Sequence, residues 1–291
     1  GVGRTIACDL RRWRKAPLAR ATRQEWRAFR ADLQQDAYDA VIDLQGLTKS
    51  ALVSWLARTT PQGWRFGMAN RTEGSSFEAP TRWVADVAIA LEPHVHAVQR
   101  ARLVGAAALR YTVEGEPRFG LLPGALALPM PLTKSLGLVA NSFAPRKPVV
   151  ALVHGTSRAD KEWPLECWIA LGQRLNHSGF TVALPHGSKL EEATAQAIAK
   201  QLDDAWLWPS MGLDAVSDTL ARCAGVVGVD SGVSHIAVAL GLPHVQIYNF
   251  DTAWRTGPQS ARQVSVFASP HPGLEEVWQA WESLATPVLC R

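Results

Sequence analysis

The chain has 291 residues, of which 47% are hydrophobic and 19% are charged, with a net charge of +4 and a pI of about 9.0. This composition is typical of a globular protein and excludes a disordered chain, and the length suits two domains. No run of about 20 apolar residues is present, so the sequence predicts no transmembrane helix, and no signal peptide is visible. The four cysteines are widely separated, which argues against a zinc site or a disulfide framework and favours a reducing compartment.

Positive charge is concentrated at the start of the chain. Residues 1–30 carry nine arginines or lysines against two acidic residues, Asp9 and Glu25. Such a patch suits phosphate groups, anionic lipid headgroups or nucleic acid, and a solvated helix face is the structural alternative. The chain opens with Gly and then with what reads as a strand, Thr5-Ile6-Ala7, so we expect a preceding segment to be missing.

The first half contains four segments with helical or strand patterns. The predicted elements are a helix over 21–36, a buried strand over 38–44, a helix over 47–56 and a helix around 96–109. Residues 61–80 read as loop, although Arg65-Phe66-Gly67 suits a short strand. Residues 111–147 hold five prolines and little periodicity, which indicates a domain boundary, placed between residues 140 and 141.

Strands and helices alternate regularly in the second half. The predicted strands are 149–153, 180–184, 205–208, 225–229 and 245–249, and the predicted helices are 164–175, 190–202, 213–223, 233–240 and 274–285. This alternation predicts an α/β fold with a parallel, doubly wound sheet that binds ligands at the carboxyl ends of its strands.

Polar residues follow four of these strands. They are residues 154–164, residues 185–187 with Glu191, residues 209–212 and residues 230–235. Because the carboxyl ends of parallel strands meet at one edge of a sheet, the four loops together predict a nucleotide site. Lys161 and the helix start at 231–235 suit a diphosphate.

Other residues of these loops suit the remaining parts of a nucleotide sugar. Thr156 and Ser157 add hydroxyl donors, Glu191 suits ribose hydroxyls, and Asp230 suits sugar hydroxyls. Each residue also has a structural alternative. Lys161 can form a surface ion pair with Asp160 or Glu162, Glu191 can be a favourable charge in a first helical turn, and His235 and Met211 can be packing residues.

Several common motifs are absent from the sequence. It has no GxGxxG followed by a ribose-binding acid, no Walker A sequence, no HExxH, no GxSxG and no cluster of metal ligands. A glycosyl transfer from a nucleotide sugar requires none of them. It requires a base for the acceptor hydroxyl and cationic or dipolar groups at the departing diphosphate.

Five segments resemble motifs of one family, lipopolysaccharide heptosyltransferase I. Residues 156–164, TSRADKEWP, resemble its T-[TS]-R-x-D-K-x-W-P motif, and residues 230–235, DSGVSH, resemble its D-[ST]-G-x-S-H motif. Residues 11–15, 41–50 and 96–100 are similar to its R-R-W-R-K, V-I-D-x-Q-G-L-x-K-S and H-A-V-x-R segments. The matches are colinear and spread over nearly the whole chain.

The resemblance implies a GT-B fold, with two Rossmann-like doubly wound domains facing each other across a cleft. We place these domains at 1–140 and 141–291, the second ending in the helix 274–285. The implied reaction is an inverting transfer, without metal or cofactor, of L-glycero-D-manno-heptose from ADP-heptose to the Kdo of Kdo2-lipid A. We expect a monomer that is cytoplasmic, peripheral to the inner membrane and does not bind nucleic acid.

The motif positions also imply two sets of site residues. The donor set is Thr156, Ser157, Lys161, Glu191, Met211, Asp230, Ser231, Gly232, Val233 and His235, with Lys161 stabilising the leaving group. The acceptor set, in the N-terminal domain, is Arg11, Arg12, Arg14, Lys15 and Arg71.

The sequence departs from the family pattern in two places. The family's general base, an Asp in a glycine-containing loop after the first strand, has no counterpart here, and Asp43 suits a capping role better than base catalysis. The family's Arg-Glu-Pro segment reads Phe77-Glu78-Ala79-Pro80, for which Arg71 is the stand-in. We therefore expect this chain to bind donor better than it catalyses and to have little or no transferase activity.

Three other readings remain open on the sequence. The chain can be heptosyltransferase II or another ADP- or UDP-sugar transferase of the same fold. It can be a nucleotide-sugar binding module without catalytic activity. It can also be a basic RNA-binding protein, although its aromatic residues fall at core-like helical positions rather than on an exposed basic sheet face.

Overall fold

The protein forms two compact units, residues 1–117 and residues 118–291. The computed structural model describes residues 2–122 and 147–289, with side chains through residue 284. The predicted boundary between residues 140 and 141 lies outside the described residues. Within the described ranges, no helix combines the length and the apolar character needed to cross a membrane.

The N-terminal unit is built on a three-stranded parallel sheet in the order β1-β2-β3. Its elements are α1 (Leu10–Trp13), α2 (Arg20–Leu33), β1 (Tyr38–Ile42), α3 (Thr48–Leu56), β2 (Thr59–Met68), α4 (Pro80–Val84), β3 (Val87–Ile89) and α5 (Ala97–Leu109). The apolar side chains of α2 lie toward the core, where Phe29 and Leu33 are buried with Trp13 and Ala57.

Two predictions for this unit are wrong. Thr5-Ile6-Ala7 is not a strand, because no described strand pairs with it; Ile6 instead packs on the core of the unit. Residues 59–68 form one strand rather than a loop with a short strand. Its pairing with β1 is interrupted between Tyr38 and Ala40, and at this bulge an added Cβ on Gly63 would lie 2.4 Å from the Tyr38 carbonyl oxygen.

The C-terminal unit is built on a six-stranded parallel sheet. Its elements are β4 (Val149–Val153), a short 3-10 helix (Ala159–Lys161), α6 (Leu165–His177), β5 (Thr181–Leu184), α7 (Lys189–Ala199), β6 (Ala205–Leu207), α8 (Leu213–Leu220), β7 (Gly225–Val229), α9 (Gly232–Ala239), β8 (His244–Tyr248), α10 (Ala253–Thr256), β9 (Gln263–Phe267) and α11 (Leu274–Leu289). All the predicted strands and helices are present with small shifts in their ends. The short elements β9 and α10 were not predicted from the sequence.

The strand order of this sheet is β6-β5-β4-β7-β8-β9. The chain therefore proceeds outward from β4 in one direction, returns, and proceeds outward from β7 in the other, which is the order of a Rossmann sheet. The order reverses between β4 and β7, and their carboxyl ends open the crevice in which such sheets bind ligands. The loops at 154–164 and 230–235 leave the sheet at this point.

Both faces of this sheet are covered by helices. One face packs against α6, α7 and α11 through a core that includes Trp168, Ile198 and Trp281, and the other packs against α8 and α9 through Leu220 and Ala237. The strands β4, β5, β7 and β8 are buried along their whole length. Burial on both faces explains the nearly continuous apolar sequences of β4, β5 and β7, whereas β8 also buries the polar side chains of His244 and Gln246.

The turn between β1 and α3 is organised by Asp43. Its Oδ1 accepts hydrogen bonds from the backbone N–H groups of Gln45 and Gly46, and its Oδ2 accepts one from the Ser50 hydroxyl at 2.9 Å. Gly46 has a φ of +71° and lies against Met68, whose Cε would be 2.3 Å from an added Cβ. Glycine is therefore required here both by backbone conformation and by space.

We expect Gly46→Ala to lower the free energy of unfolding by about 2 kcal/mol, because it combines a strained positive φ with overpacking. Urea unfolding followed by tryptophan fluorescence measures the change. Gly115→Ala is the matched control, since Gly115 has a φ of +60° and open space around its Cβ position. Equal losses in the two variants would show that the contact with Met68 contributes nothing.

Candidate functional site

The centre of the candidate site is an ion pair between the two loops at the reversal of the strand order. Lys161 Nζ lies 2.6 Å from Asp230 Oδ2, and His235 Nε2 lies 3.3 Å from the other carboxylate oxygen. The Asp230 side chain is 7% exposed and that of Lys161 is 21% exposed. The two segments singled out by the sequence are thus joined directly, although 69 residues separate the charged pair in the chain.

The charge state of Asp230 follows from these neighbours. Burial raises the pKa of Asp230, but the hydrogen bonds from His235 and Lys161 outweigh burial and hold the pKa at about 2. Asp230 is therefore ionised at neutral pH and is available to accept hydrogen bonds. The Lys161 ammonium donates to it and keeps two further N–H donors.

Neither of the acidic neighbours proposed as a surface partner for Lys161 contacts it. Arg158 pairs with Asp160, whose pKa is lowered by that hydrogen bond, and Glu162 forms no ion pair with Lys161 within the described residues. The surface ion-pair alternative for Lys161 is therefore wrong. The reason is that the turn at Ala159–Lys161 directs the ammonium toward β7 rather than along its own loop.

Asn249 holds the backbone on both sides of Lys161. Its Nδ2 donates to the carbonyl oxygens of Asp160 and Glu162 at 3.1 and 2.8 Å, and the side chain is 7% exposed. Trp163, the next residue after this turn, is buried and donates from Nε1 to the Pro272 carbonyl oxygen. Sequence reasoning did not identify Asn249, although its position directly after β8 was a usable signal.

The helix start after β7 is also fixed by buried contacts. Ser231 is the N-cap of α9, and Gly232 is its first residue. Ser234 is fully buried and donates to the Val229 carbonyl oxygen at 2.6 Å, which holds the first turn of the helix against the strand end. The free N–H groups of this turn form a site that favours an anion.

The remaining donor residues surround this pair on neighbouring strand ends. Thr156 Oγ1 donates to the Asp230 carbonyl oxygen at 3.4 Å, whereas Ser157 is exposed. Glu191, in the first turn of α7, accepts a hydrogen bond from the Gly187 N–H at 2.7 Å, and its carboxylate lies over Gly155. Met211 and Val233 are half-buried and pack on the core beneath α8 and α9.

His154, at the end of β4, is a buried histidine beside these residues. It is 5% exposed, and its Nε2 has no hydrogen-bond partner among the described residues. Burial lowers the pKa of His154 to about 4, against the opposing effect of the Glu191 charge. The imidazole is therefore neutral at neutral pH.

Of the five predicted acceptor residues, two line a cavity and three do not. Arg11 and Arg14 line a cavity of about 990 Å³ in the N-terminal unit, and Lys15 and Arg71 do not. Arg12 is paired with Asp9 and Glu25, which raise its pKa, so its charge is already balanced. Arg71 donates from Nε to the Ser75 carbonyl oxygen. Of the predicted acceptor residues, Arg11 and Arg14 therefore lie together in the cavity and form no ion pair within the described part of this unit.

Asp43 has no free carboxylate oxygen for general base catalysis. It is 6% exposed, and its two oxygens accept the three hydrogen bonds of the turn that leads into α3. This is the capping role expected from the sequence.

The fold and the site define the class of this protein. A Rossmann-type sheet whose reversal point presents a lysine, a carboxylate and a helix start is an α/β unit suited to a phosphorylated ligand. Residues 26–277 match the model of glycosyltransferase family 9 (heptosyltransferase). The chain belongs to that family.

Two bacterial relatives support the same assignment. The chain is 35% identical to lipopolysaccharide heptosyltransferase 1 of Escherichia coli K12 over 248 residues, which cover 85% of this chain and 72% of that protein. It is 32% identical to lipopolysaccharide heptosyltransferase 1 of Pseudomonas aeruginosa over 90% of this chain and 69% of that protein.

Solved structures confirm the predicted GT-B fold class. The structure of E. coli heptosyltransferase WaaC with ADP matches with a TM-score of 0.75 and 28% identity, over 98% of this chain and 82% of that one. WaaC with ADP-2-deoxy-2-fluoro heptose matches with a TM-score of 0.71 and 29% identity over the same shares.

We expect Lys161→Met to destabilise the protein by about 1 to 2 kcal/mol at neutral pH. Without the ammonium, the cost of burying the ionised Asp230 carboxylate is offset by His235 alone. A lowered carboxylate pKa contributes stability that is present above the unfolded pKa, 3.8, and is lost as the pH falls toward about 2. The difference between wild type and variant should therefore shrink across this interval. Urea unfolding at a series of pH values measures it.

Arg158→Met is the control for this experiment. Arg158 and Asp160 form an exposed pair in the same loop, with side chains 61% and 44% exposed. Such an exposed pair is screened by water and contributes little to stability. If both variants lose the same stability with the same pH dependence, the coupling of Lys161 to Asp230 is refuted.

Proposed function

We propose that this protein transfers L-glycero-D-manno-heptose from ADP-heptose to the Kdo of Kdo2-lipid A, in the assembly of the lipopolysaccharide inner core. Membership in the heptosyltransferase family supports the reaction class. The observation that carries the proposal is the contact between Lys161 and Asp230 at the reversal point of the sheet. It places a cation, a carboxylate and a helix start together, as a nucleotide sugar requires.

The residues of the C-terminal unit divide between the parts of the donor. The Lys161 ammonium and the N–H groups at the start of α9 stabilise the diphosphate, where negative charge increases as the sugar departs. Asp230 accepts hydrogen bonds from sugar hydroxyls, and Glu191 accepts them from the ribose. In this proposal the reaction inverts the anomeric configuration and uses neither a metal ion nor a cofactor.

Asn249 acts on this site as a positioning residue. Its amide fixes the carbonyl groups on either side of Lys161, so it limits the freedom of the ammonium before the donor binds. A cation held in place stabilises a developing charge without reorganisation during the reaction.

Acceptor binding belongs to the N-terminal unit in this proposal. Arg11 and Arg14 line a cavity and form no ion pair within the described part of this unit, so they are the residues we assign to acceptor phosphates and carboxylates. The protein would act as a monomer at the cytoplasmic face of the inner membrane, where the lipid acceptor lies.

Calorimetric titration with ADP and ADP-heptose tests the donor site. We expect Lys161→Ala to weaken both ligands by about 1.5 to 3 kcal/mol, the contribution of a hydrogen bond to a charged group. Asp230→Asn should weaken ADP-heptose more than ADP, because its carboxylate is assigned to the sugar. Arg158→Ala is the matched control in the same loop and should bind like wild type. Wild-type affinity in both site variants would refute the assignment.

The acceptor is tested by comparing Kdo2-lipid A with its mono-heptosylated product. We expect heptose transfer to Kdo2-lipid A to exceed transfer to the mono-heptosylated acceptor at least about tenfold, a discrimination of about 1.4 kcal/mol. Mass spectrometry at stoichiometric protein detects slow transfer. The reverse preference would favour heptosyltransferase II, and ADP-heptose binding without transfer to either acceptor would favour a binding module.

A further inference from the structure

The cavity of about 990 Å³ in the N-terminal unit is a groove between α2 and α3 with an unusual charge distribution. Five cationic residues line it: Arg11, Arg14, Arg23, Arg27 and Lys49. All five are exposed, and none of their guanidinium or ammonium groups forms an ion pair or hydrogen bond with another described residue of this unit. We call this surface, together with Leu52 and Trp55, the α2–α3 face.

The nearby carboxylates do not neutralise these cations. Glu25 is bound by Arg12 and by the Trp13 indole N–H at 2.7 Å, and these hydrogen bonds lower its pKa. Glu78, the one acidic residue that lines the groove, accepts hydrogen bonds from the backbone and hydroxyl of Thr48. A groove with five cations and engaged carboxylates has a positive potential that attracts an external anion.

The same face carries exposed apolar side chains. Thr48, Lys49 and Leu52 of α3 line the groove, and Trp55 follows Leu52 by one turn on the same stripe of the helix. Leu52 is 38% exposed and Trp55 is 63% exposed. Trp is usually largely buried, and its amphipathic ring favours the boundary between lipid and water.

We propose that the α2–α3 face docks on the surface of an anionic phospholipid bilayer. Arg23, Arg27 and Lys49 contact lipid phosphates, while Leu52 and Trp55 enter the headgroup region. Charge attraction and burial of apolar area act together here, which is what stable peripheral binding requires. The inference deepens and rests on the proposed function, because Arg11 and Arg14 of the same groove are assigned to a lipid acceptor.

Vesicle sedimentation with the full chain tests the docking surface without acceptor or donor. We expect binding to vesicles of phosphatidylglycerol and phosphatidylethanolamine, weak binding to phosphatidylcholine, and a decrease in binding as salt rises. Equal binding to both kinds of vesicle, or no binding to either, overturns the proposal.

Two variants separate the charges from the apolar anchor. Arg23→Gln with Arg27→Gln should lower the partition coefficient roughly thirtyfold, the effect of removing two basic residues beside an anionic surface. Trp55→Ser should lower it roughly tenfold with little change in the salt dependence. Arg23→Lys with Arg27→Lys should bind like wild type. Wild-type binding by both the Gln and the Ser variants overturns the proposal.

Trp64→Ser is the matched control for Trp55, since Trp64 is 53% exposed but lies on β2 rather than on α2 or α3. It should leave vesicle binding unchanged. Circular dichroism melting confirms that each variant is folded. A Trp64→Ser loss equal to that of Trp55→Ser would show that docking does not use this face.

Two further measurements distinguish the competing explanations. An RNA oligonucleotide offers phosphates without a bilayer, so RNA binding tighter than vesicle binding and lost in the Gln variant overturns the proposal in favour of nucleic acid. Transfer of heptose to acceptor in detergent tests the proposed function alone. Vesicle binding without transfer would support the docking surface and contradict the proposed function. Transfer without vesicle binding would support the proposed function and overturn the docking surface.

Discussion

The ion pair between Lys161 and Asp230 is the interaction on which the candidate site depends. It connects the loop after β4 with the start of α9, and these leave the sheet on the two sides of its reversal in strand order. The desolvation of Asp230 is offset by two cationic or polar donors rather than one, which keeps the carboxylate ionised. Removal of Lys161 would leave the buried Asp230 carboxylate with His235 alone to offset its desolvation, so the two loops are energetically coupled.

The sheet brings Lys161 and Asp230 close together, and buried side chains fix the backbone around them. Ser234 ties the first turn of α9 to the end of β7, and Asn249 ties the turn around Lys161 to the end of β8. Both residues are buried and donate to backbone carbonyl groups. Hydrogen bonds of this kind restrict backbone freedom more than a surface contact does, because the groups have no water to exchange with.

Much of this arrangement follows from the sequence, because β4 and β7 are continuous apolar runs, β5 is apolar after Thr181, and parallel strands place their carboxyl ends at one edge. The partner of Lys161 was not predictable from spacing, since sequence neighbours such as Asp160 are closer in the chain than Asp230. The interrupted pairing of β2 was hidden by Pro61 and Gly63, which read as loop. The position of Asn249 directly after β8 marks it as a strand-end residue, but the local pattern does not show its partners, which lie 87 to 89 residues away in the chain.

The cations of the two units are arranged in different ways. At the C-terminal site a single lysine is held in place by a buried carboxylate, so it presents a fixed charge to one ligand group. On the α2–α3 face several exposed cations form no ion pair with another described residue of this unit, so they present a diffuse positive potential without fixed geometry. The first arrangement suits a reacting diphosphate, for which position determines the stabilisation of charge, and the second suits a fluid surface whose phosphates have no fixed positions. The distribution of paired and unpaired cations among the described residues therefore distinguishes the proposed site of chemistry from the proposed docking surface.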